Sequence, residues 1–153
     1  MKKLFFFLLT SAFLLFTSCK DNNEDDIICC ANYDLEINIV PKNQDGENLI
    51  ETEAVTIENI ALFYEIDGEW KASDNYNIIS LSEKQDFLMI AVNNEIDQNN
   101  RSETKLIING EESLITSEFN TKNGAVIIKI WLNNQVVFDA SSNQGAKSIE
   151  ILL

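Results

Sequence analysis

The three cysteines are the most reactive side chains in this chain, and the histidine that commonly pairs with a catalytic cysteine is missing. Cys19 closes an apolar run, and Cys29 and Cys30 are adjacent. The chain contains no histidine. Neither a Ser-His-Asp nor a Cys-His arrangement can therefore be assembled. The same lack, with this cysteine spacing, leaves no four-ligand zinc site. Neighbouring Cα atoms lie only about 3.8 Å apart, so a Cys29–Cys30 disulfide is geometrically unusual. Buried or reduced thiols, a vicinal disulfide and a disulfide to another chain all stay open. The five glycines occur singly, so no phosphate-cradling loop is present. No cofactor and no metal are expected.

Carboxylates are the remaining chemistry. Two of them facing one cleft can cleave a glycosidic bond as acid and base. The densest acidic spots are Glu111-Glu112, Asp67 with Glu69, and Asp21 to Asp26. All fall in turns or in a polar leader and read as solvated charge. The stretch Asn93-Asn94-Glu95-Ile96-Asp97-Gln98-Asn99-Asn100 is rich in oxygen ligands. It lacks the spaced register of an EF-hand loop and reads as a polar connection. Against 25 acidic residues stand 11 basic ones, a formal charge of −14. That balance opposes binding to a phosphate backbone, so no nucleic-acid partner is expected. It suits a cationic partner.

These side chains sit on a chain that alternates almost throughout. Tyr33, Leu35, Ile37 and Ile39 interleave with Asp34, Glu36 and Asn38, the period-2 pattern of a half-buried strand. Ile60 to Ile66 repeats it, and Asp67-Gly68 joins that run to Glu69-Trp70-Lys71-Ala72 by a two-residue hairpin. Further strands are read at Ile78 to Leu81, Phe87 to Val92, Thr104 to Ile108, Glu111 to Phe119, Val126 to Leu132, Gln135 to Asp139 and Ser148 to Leu153. Asn109-Gly110, Asn123-Gly124 and Asn133-Asn134 supply turns. The expected fold is all-β, a single immunoglobulin-like β-sandwich of about eight or nine strands over residues 32–153.

One hairpin stands out. With Asn133-Asn134 as a two-residue turn, Trp131 is set opposite Val136 and Lys129 opposite Phe138, while Ile128, Ile130 and Val137 take the other face. Both faces are then apolar, although a sandwich strand normally buries only one. Trp131, Val136 and Phe138 are expected to form a patch for a partner or a sugar ring, unless another element covers them. Phe63, Glu65, Trp70 and Ala72 offer a weaker version, which adds Trp70 to the candidate binding residues.

The N-terminus has the parts of an export signal. Lys2 and Lys3 precede the uncharged run Leu4 to Phe16, and the small residues Thr17 and Ser18 precede Cys19. Thirteen residues are too few to span a bilayer core of about 30 Å. Phe16-Thr17-Ser18-Cys19 resembles the lipobox of bacterial lipoprotein signal peptides, with Phe16 where leucine is usual. The resemblance implies a signal peptide at 1–18 and lipid attached at Cys19. Lys20-Asp21-Asn22-Asn23-Glu24-Asp25-Asp26 has too little apolar content to fold and reads as part of a tether over 19–31. Its Lys20, Asp21, Glu24, Asp25 and Asp26 resemble the acidic export signal of Bacteroidota-type surface lipoproteins. Ile130-Trp131-Leu132-Asn133-Asn134 and the following Val-Val-Phe-Asp loosely resemble small lipoproteins of that kind, which bring no activity with them. Loss of residues 1–18 removes two lysines and no acid, so the charge falls from −14 to −16.

The expectation is a non-enzymatic binding or accessory module, held by lipid in the outer membrane and facing outward. The periplasmic face is the alternative location. Two other functional readings stay open: an acidic inhibitor or immunity-type lipoprotein that neutralises a cationic partner, and a carboxylate-using hydrolase. The Cys19→Ala variant should appear in the soluble fraction, and its continued sedimentation with membranes would refute the anchor. Protease added to intact cells should remove the protein. Deletion of Lys20 to Asp26 should then protect it.

Overall fold

The structure, a computed structural model, describes residues 32–80, 85–142 and 147–153. Cys19, the acidic segment Lys20 to Asp26, Cys29 and Cys30 lie outside the described residues. Among the described residues eleven strands form: β1 Asn32–Asp34, β2 Glu36–Lys42, β3 Ile60–Ile66, β4 Glu69–Ser73, β5 Tyr76–Ile79, β6 Phe87–Ala91, β7 Arg101–Ile108, β8 Glu111–Asn120, β9 Gly124–Leu132, β10 Gln135–Asp139 and β11 Ser148–Leu152. The only helical element among the described residues is one 3-10 turn at Ile57–Asn59. None is long and apolar enough to cross a membrane.

The strands make two packed sheets, the all-β sandwich that the alternation predicts. The larger runs β1-β9-β8-β7-β3-β4, with β10 also paired to β9; the smaller runs β11-β2-β6-β5. The count exceeds the expected eight or nine in part because one predicted strand divides. At Leu35 the chain leaves the larger sheet, where β1 lies parallel to β9, and enters the smaller one as β2. β11 also runs parallel to β2, so both sheets are mixed.

Inward-facing residues of each strand supply the core. Ile37, Ile39, Leu62, Leu88, Ile90, Leu106, Ile108, Ile115 and Ile130 are essentially solvent-free. Asp67-Gly68, Asn109-Gly110 and Asn133-Asn134 have positive φ at both positions, as two-residue turns matched to strand twist require. Two tyrosines bind the layers together. The Tyr64 hydroxyl donates to the Ala91 carbonyl at 2.7 Å, and the Tyr76 hydroxyl to that of Ile60 at 3.1 Å. These bonds place β3 above β5 and β6.

Gly124 is where the larger sheet admits β1. Its φ is +130°, and a Cβ there would stand 2.1 Å from the Asn32 carbonyl oxygen. Any side chain must push β1 away while adopting a backbone that L residues resist. Gly124→Ala should cost about 1–3 kcal/mol in chemical denaturation. It should also speed hydrogen exchange at the Asn32 amide, which bonds the Asn123 carbonyl. Unchanged exchange would show that β1 is held elsewhere.

Candidate functional site

The outer face of the larger sheet has no layer over it among the described residues. Registers across β7, β8, β9 and β10 put Arg101, Glu118, Lys129 and Asp139 in one row. Signs alternate along it. Arg101 pairs with Glu118 at 2.8 Å and Lys129 with Asp139 at 2.8 Å. Hydrogen bonding from Lys129, and then from Ser141, holds the Asp139 carboxyl at about 2, well below its ordinary value. Such solvent-facing pairs stabilise a surface only weakly.

The next row carries the aromatic residues. Glu103, Thr116, Trp131 and Val136 are successive cross-strand neighbours, and Trp70 faces Glu65 on β3. The tryptophans are four strand spacings apart, about 19 Å. Each carries a cation from this chain. The Arg101 guanidinium lies 4.5 Å and the Lys129 ammonium 5.6 Å from the Trp131 ring centre, while the Lys105 ammonium lies 4.4 Å from that of Trp70. A stacked cation is worth about 0.5–1 kcal/mol at an exposed site. It also covers part of an indole face that a sugar would need.

Between the tryptophans is an open groove of about 420 Å³, lined by Glu65, Glu95, Asp97, Asn99, Arg101, Ser102, Glu103, Thr116 and Asn134. It exists because the β3–β7 ladder stops at Tyr64 opposite Thr104. Just beyond, Asn93 enters between the strands. Its amide donates to the carbonyls of Glu65 at 2.6 Å and Glu103 at 3.3 Å. Its own amide hydrogen goes to Thr104 Oγ1 at 2.8 Å, and its carbonyl accepts from Ser102 Oγ at 2.5 Å. Asn93 Oδ1 accepts from the Glu95 amide at 2.9 Å. A fully buried polar residue is tolerable only when it is bonded this completely.

The same residue starts the loop that overhangs the groove. Asp97 Oδ1 accepts from the amides of Asn99 at 2.7 Å and Arg101 at 2.8 Å. Those bonds, the Arg101 amide first, hold its carboxyl below the usual range. The oxygen-rich stretch 93–100 is thus organised by its own backbone. Among the described residues no three acids or cysteines converge to hold a metal ion. Among the described residues Glu95 and Glu103 have no side-chain partner, and Glu65 accepts from the Gly68 amide at 2.6 Å.

The candidate patch from the sequence is corrected at one residue. Trp131 faces Val136 as expected, and both point outward with Trp70. A bulge between Val136 and Phe138 inserts Val137, so Phe138 pairs with Ile130 and Asp139 takes the place opposite Lys129. Phe138 therefore turns inward and is 8% exposed, a core residue and no part of the patch. A matching shift between Glu118 and Phe119 puts Ile128 out of register on β9. Sequence reading missed Glu103, Arg101 and Asn93 as one neighbourhood. Their alternation was visible, but the wedge that gathers them was not.

No family model, no curated protein and no solved structure matches this chain.

Asp139 gives the site a pH signature. Its folded value of about 2 lies below the unfolded value near 3.9, so its contribution is complete above about pH 4. That contribution should drain away as pH falls toward 2. Melting curves from pH 6 to 2 should show a shallower acid limb for Asp139→Asn than for the parent. Parallel limbs would mean that Lys129 and Ser141 do not stabilise this carboxylate.

Proposed function

We propose that this chain is a lipid-anchored, non-enzymatic binding module of the cell envelope. It is held at Cys19 in the outer membrane, faces outward, and presents the outer face of its larger sheet to a protein or glycan partner. One observation carries the reading. Trp70 and Trp131 flank an open groove, and among the described residues Glu95 and Glu103 in that groove have no partner side chain. An inert face would pair or dilute such charge, as the neighbouring Arg101–Glu118–Lys129–Asp139 row does.

The acidic-inhibitor reading has its own support. Cations of this chain already cover the indoles, and four acids line the groove against one arginine. A partner supplying lysine or arginine would extend that pattern, and its capture should weaken steeply with salt. The hydrolase reading draws on the same acids, since Glu65 and Glu103 share one lining. It further needs a carboxyl shielded from water, whereas this groove is open and Glu95 is exposed.

The experiment is crosslinking from intact cells with the anchored protein as bait, at two salt concentrations. A discrete partner should be captured by the parent and lost from the double variant Trp70→Ala/Trp131→Ala. Glu103→Gln should weaken capture at low salt only. Equal capture by all three proteins would sink the assignment of this face.

A further inference from the structure

The edges of the two sheets are not equally protected. An edge strand offers unpaired N–H and C=O groups, and proteins blunt such edges with charge, bulges or cover. β4 carries Glu69 and Lys71, exposed on its inward side. β10 is broken by the bulge at Val137. β11 has Glu150, which pairs with Lys42 at 2.6 Å. β5, Tyr76-Asn77-Ile78-Ile79, has no charge, no bulge and no proline.

Hydrogen-bond phase shows what β5 presents. The Ala91 amide bonds the Asn75 carbonyl, so the ladder to β6 falls at residues 75, 77 and 79. The Val92 amide bonds the Leu35 carbonyl, which fixes the same phase on the far side of β6. The Ile78 N–H, the Ile78 carbonyl and the Tyr76 carbonyl therefore point away from the sheet. Among the described residues none has a partner there. The Tyr76 N–H is used locally, by the Asp74 carbonyl at 2.8 Å.

Beside this edge is a second, independent feature. A cavity of about 230 Å³ opens on the outer face of the smaller sheet, lined by Glu36, Asn75, Tyr76, Asn77, Met89 and Ala91. Asn77 faces Met89 across the ladder, so a strand laid against β5 would place a side chain next to Asn77 and over Met89. Backbone bonds for affinity and an adjoining pocket for one side chain are the two parts of recognition by strand addition.

We propose that the β5 edge is a strand-addition site, which receives a lone extended polypeptide segment as the fifth strand of the smaller sheet. The larger sheet decides what kind of segment fits. β3 lies above β5 through the Tyr76 to Ile60 bond, so β4 overhangs the position of the added strand. A second copy pairing through its own β5 would bring its β3 into the space that this β4 occupies. Antiparallel self-pairing is thereby disfavoured, and a single strand without a second layer is admitted. Its inward side chains meet Lys71 and Ser73 and must be small, polar or acidic. Its outward side chain beside Asn77 is apolar, to reach Met89. The site lies on the other sheet from the tryptophan groove and does not depend on that reading.

The test pans short randomised peptides displayed on phage against the folded domain. Enriched sequences should alternate, with an apolar residue at one fixed position, and their binding should slow exchange of the Ile78 amide. Ile78→Pro removes the outward N–H without breaking a ladder bond, and should weaken binding at least about tenfold. Because proline also costs packing at this site, Asn77→Lys provides a second block that leaves every backbone group in place, with the same loss expected. Trp70→Ala/Trp131→Ala should bind as the parent does. Enrichment of no extended sequence, binding that survives both β5 variants, or protection at the β4 edge in place of Ile78 would overturn the proposal. A doubled mass in sedimentation, lost in Asn77→Lys, would overturn it in favour of a second copy.

Discussion

The larger sheet is six strand positions wide and the smaller one four, and both must close one apolar core. Burial of alternating aliphatic side chains drives the layers together, at about 25 cal/mol for each Å² removed from water. Four strands cannot cover six. What lies under the smaller sheet becomes Ile37, Ile39, Leu88 and Ile90 against Leu62, Leu106, Ile115 and Ile130. What lies beyond it must carry side chains that tolerate water. β4 is therefore exposed on both faces, and its inward positions hold Glu69, Lys71 and Ser73. The overhang and the open edge of β5 have the same origin.

The interior pays for one more feature, a polar strip on the larger sheet. Ser102, Thr104, Ser113 and Ser117 point inward from β7 and β8 and are buried. Two of them are used by Asn93, which converts the end of the β3–β7 ladder into a gap rather than a frayed pair. Each such bond is worth about 1 kcal/mol net, while an unmade one in a dry site costs about 1–3 kcal/mol. Asn93 thus has more to lose by absence than it contributes by presence, which makes it a positioning residue for the groove. Ser117 shows the contrast, since its buried hydroxyl has no partner among the described residues.

How much of this was legible follows from which constraints are local. Turn chemistry is local, and Asp67-Gly68, Asn109-Gly110 and Asn133-Asn134 were readable as two-residue hairpins from their residue types alone. Facial alternation is local too, so Phe63, Glu65, Trp70 and Ala72 were placed together correctly. Phe138 was misplaced because a single inserted residue, Val137, flips every side chain after it. No period-2 argument detects that insertion, since Val136, Val137 and Phe138 are all apolar. The switch of sheets at Leu35 was likewise invisible. Gly124 was read as a turn residue, when its more demanding task is to let β1 approach. The wedge at Asn93 joins two strands far apart in sequence, β3 and β7, and local patterning gives no clue to that meeting.

The outer face of the larger sheet divides into two parts with opposite electrostatics. Along Arg101, Glu118, Lys129 and Asp139 each charge has an opposite neighbour, and Trp131 takes the surplus cation field of two of them. That part is satisfied by itself and needs nothing from solution. In the groove beside it, Glu65, Glu95, Asp97 and Glu103 gather with Arg101 as the one cation in the lining. Like charges brought together at a sheet surface cost free energy where unlike charges gain it. Arg101 and Glu103 sit on one strand and pair with β8 in one register, so the fold does not force the costly arrangement. Lysine at Thr116, the cross-strand neighbour of Glu103, would neutralise it within the existing register. The charge left open in the groove is therefore a property of its side chains rather than of the scaffold. A ligand that supplies the missing positive charge or hydrogen-bond donors gains the stabilisation that this chain leaves unmade.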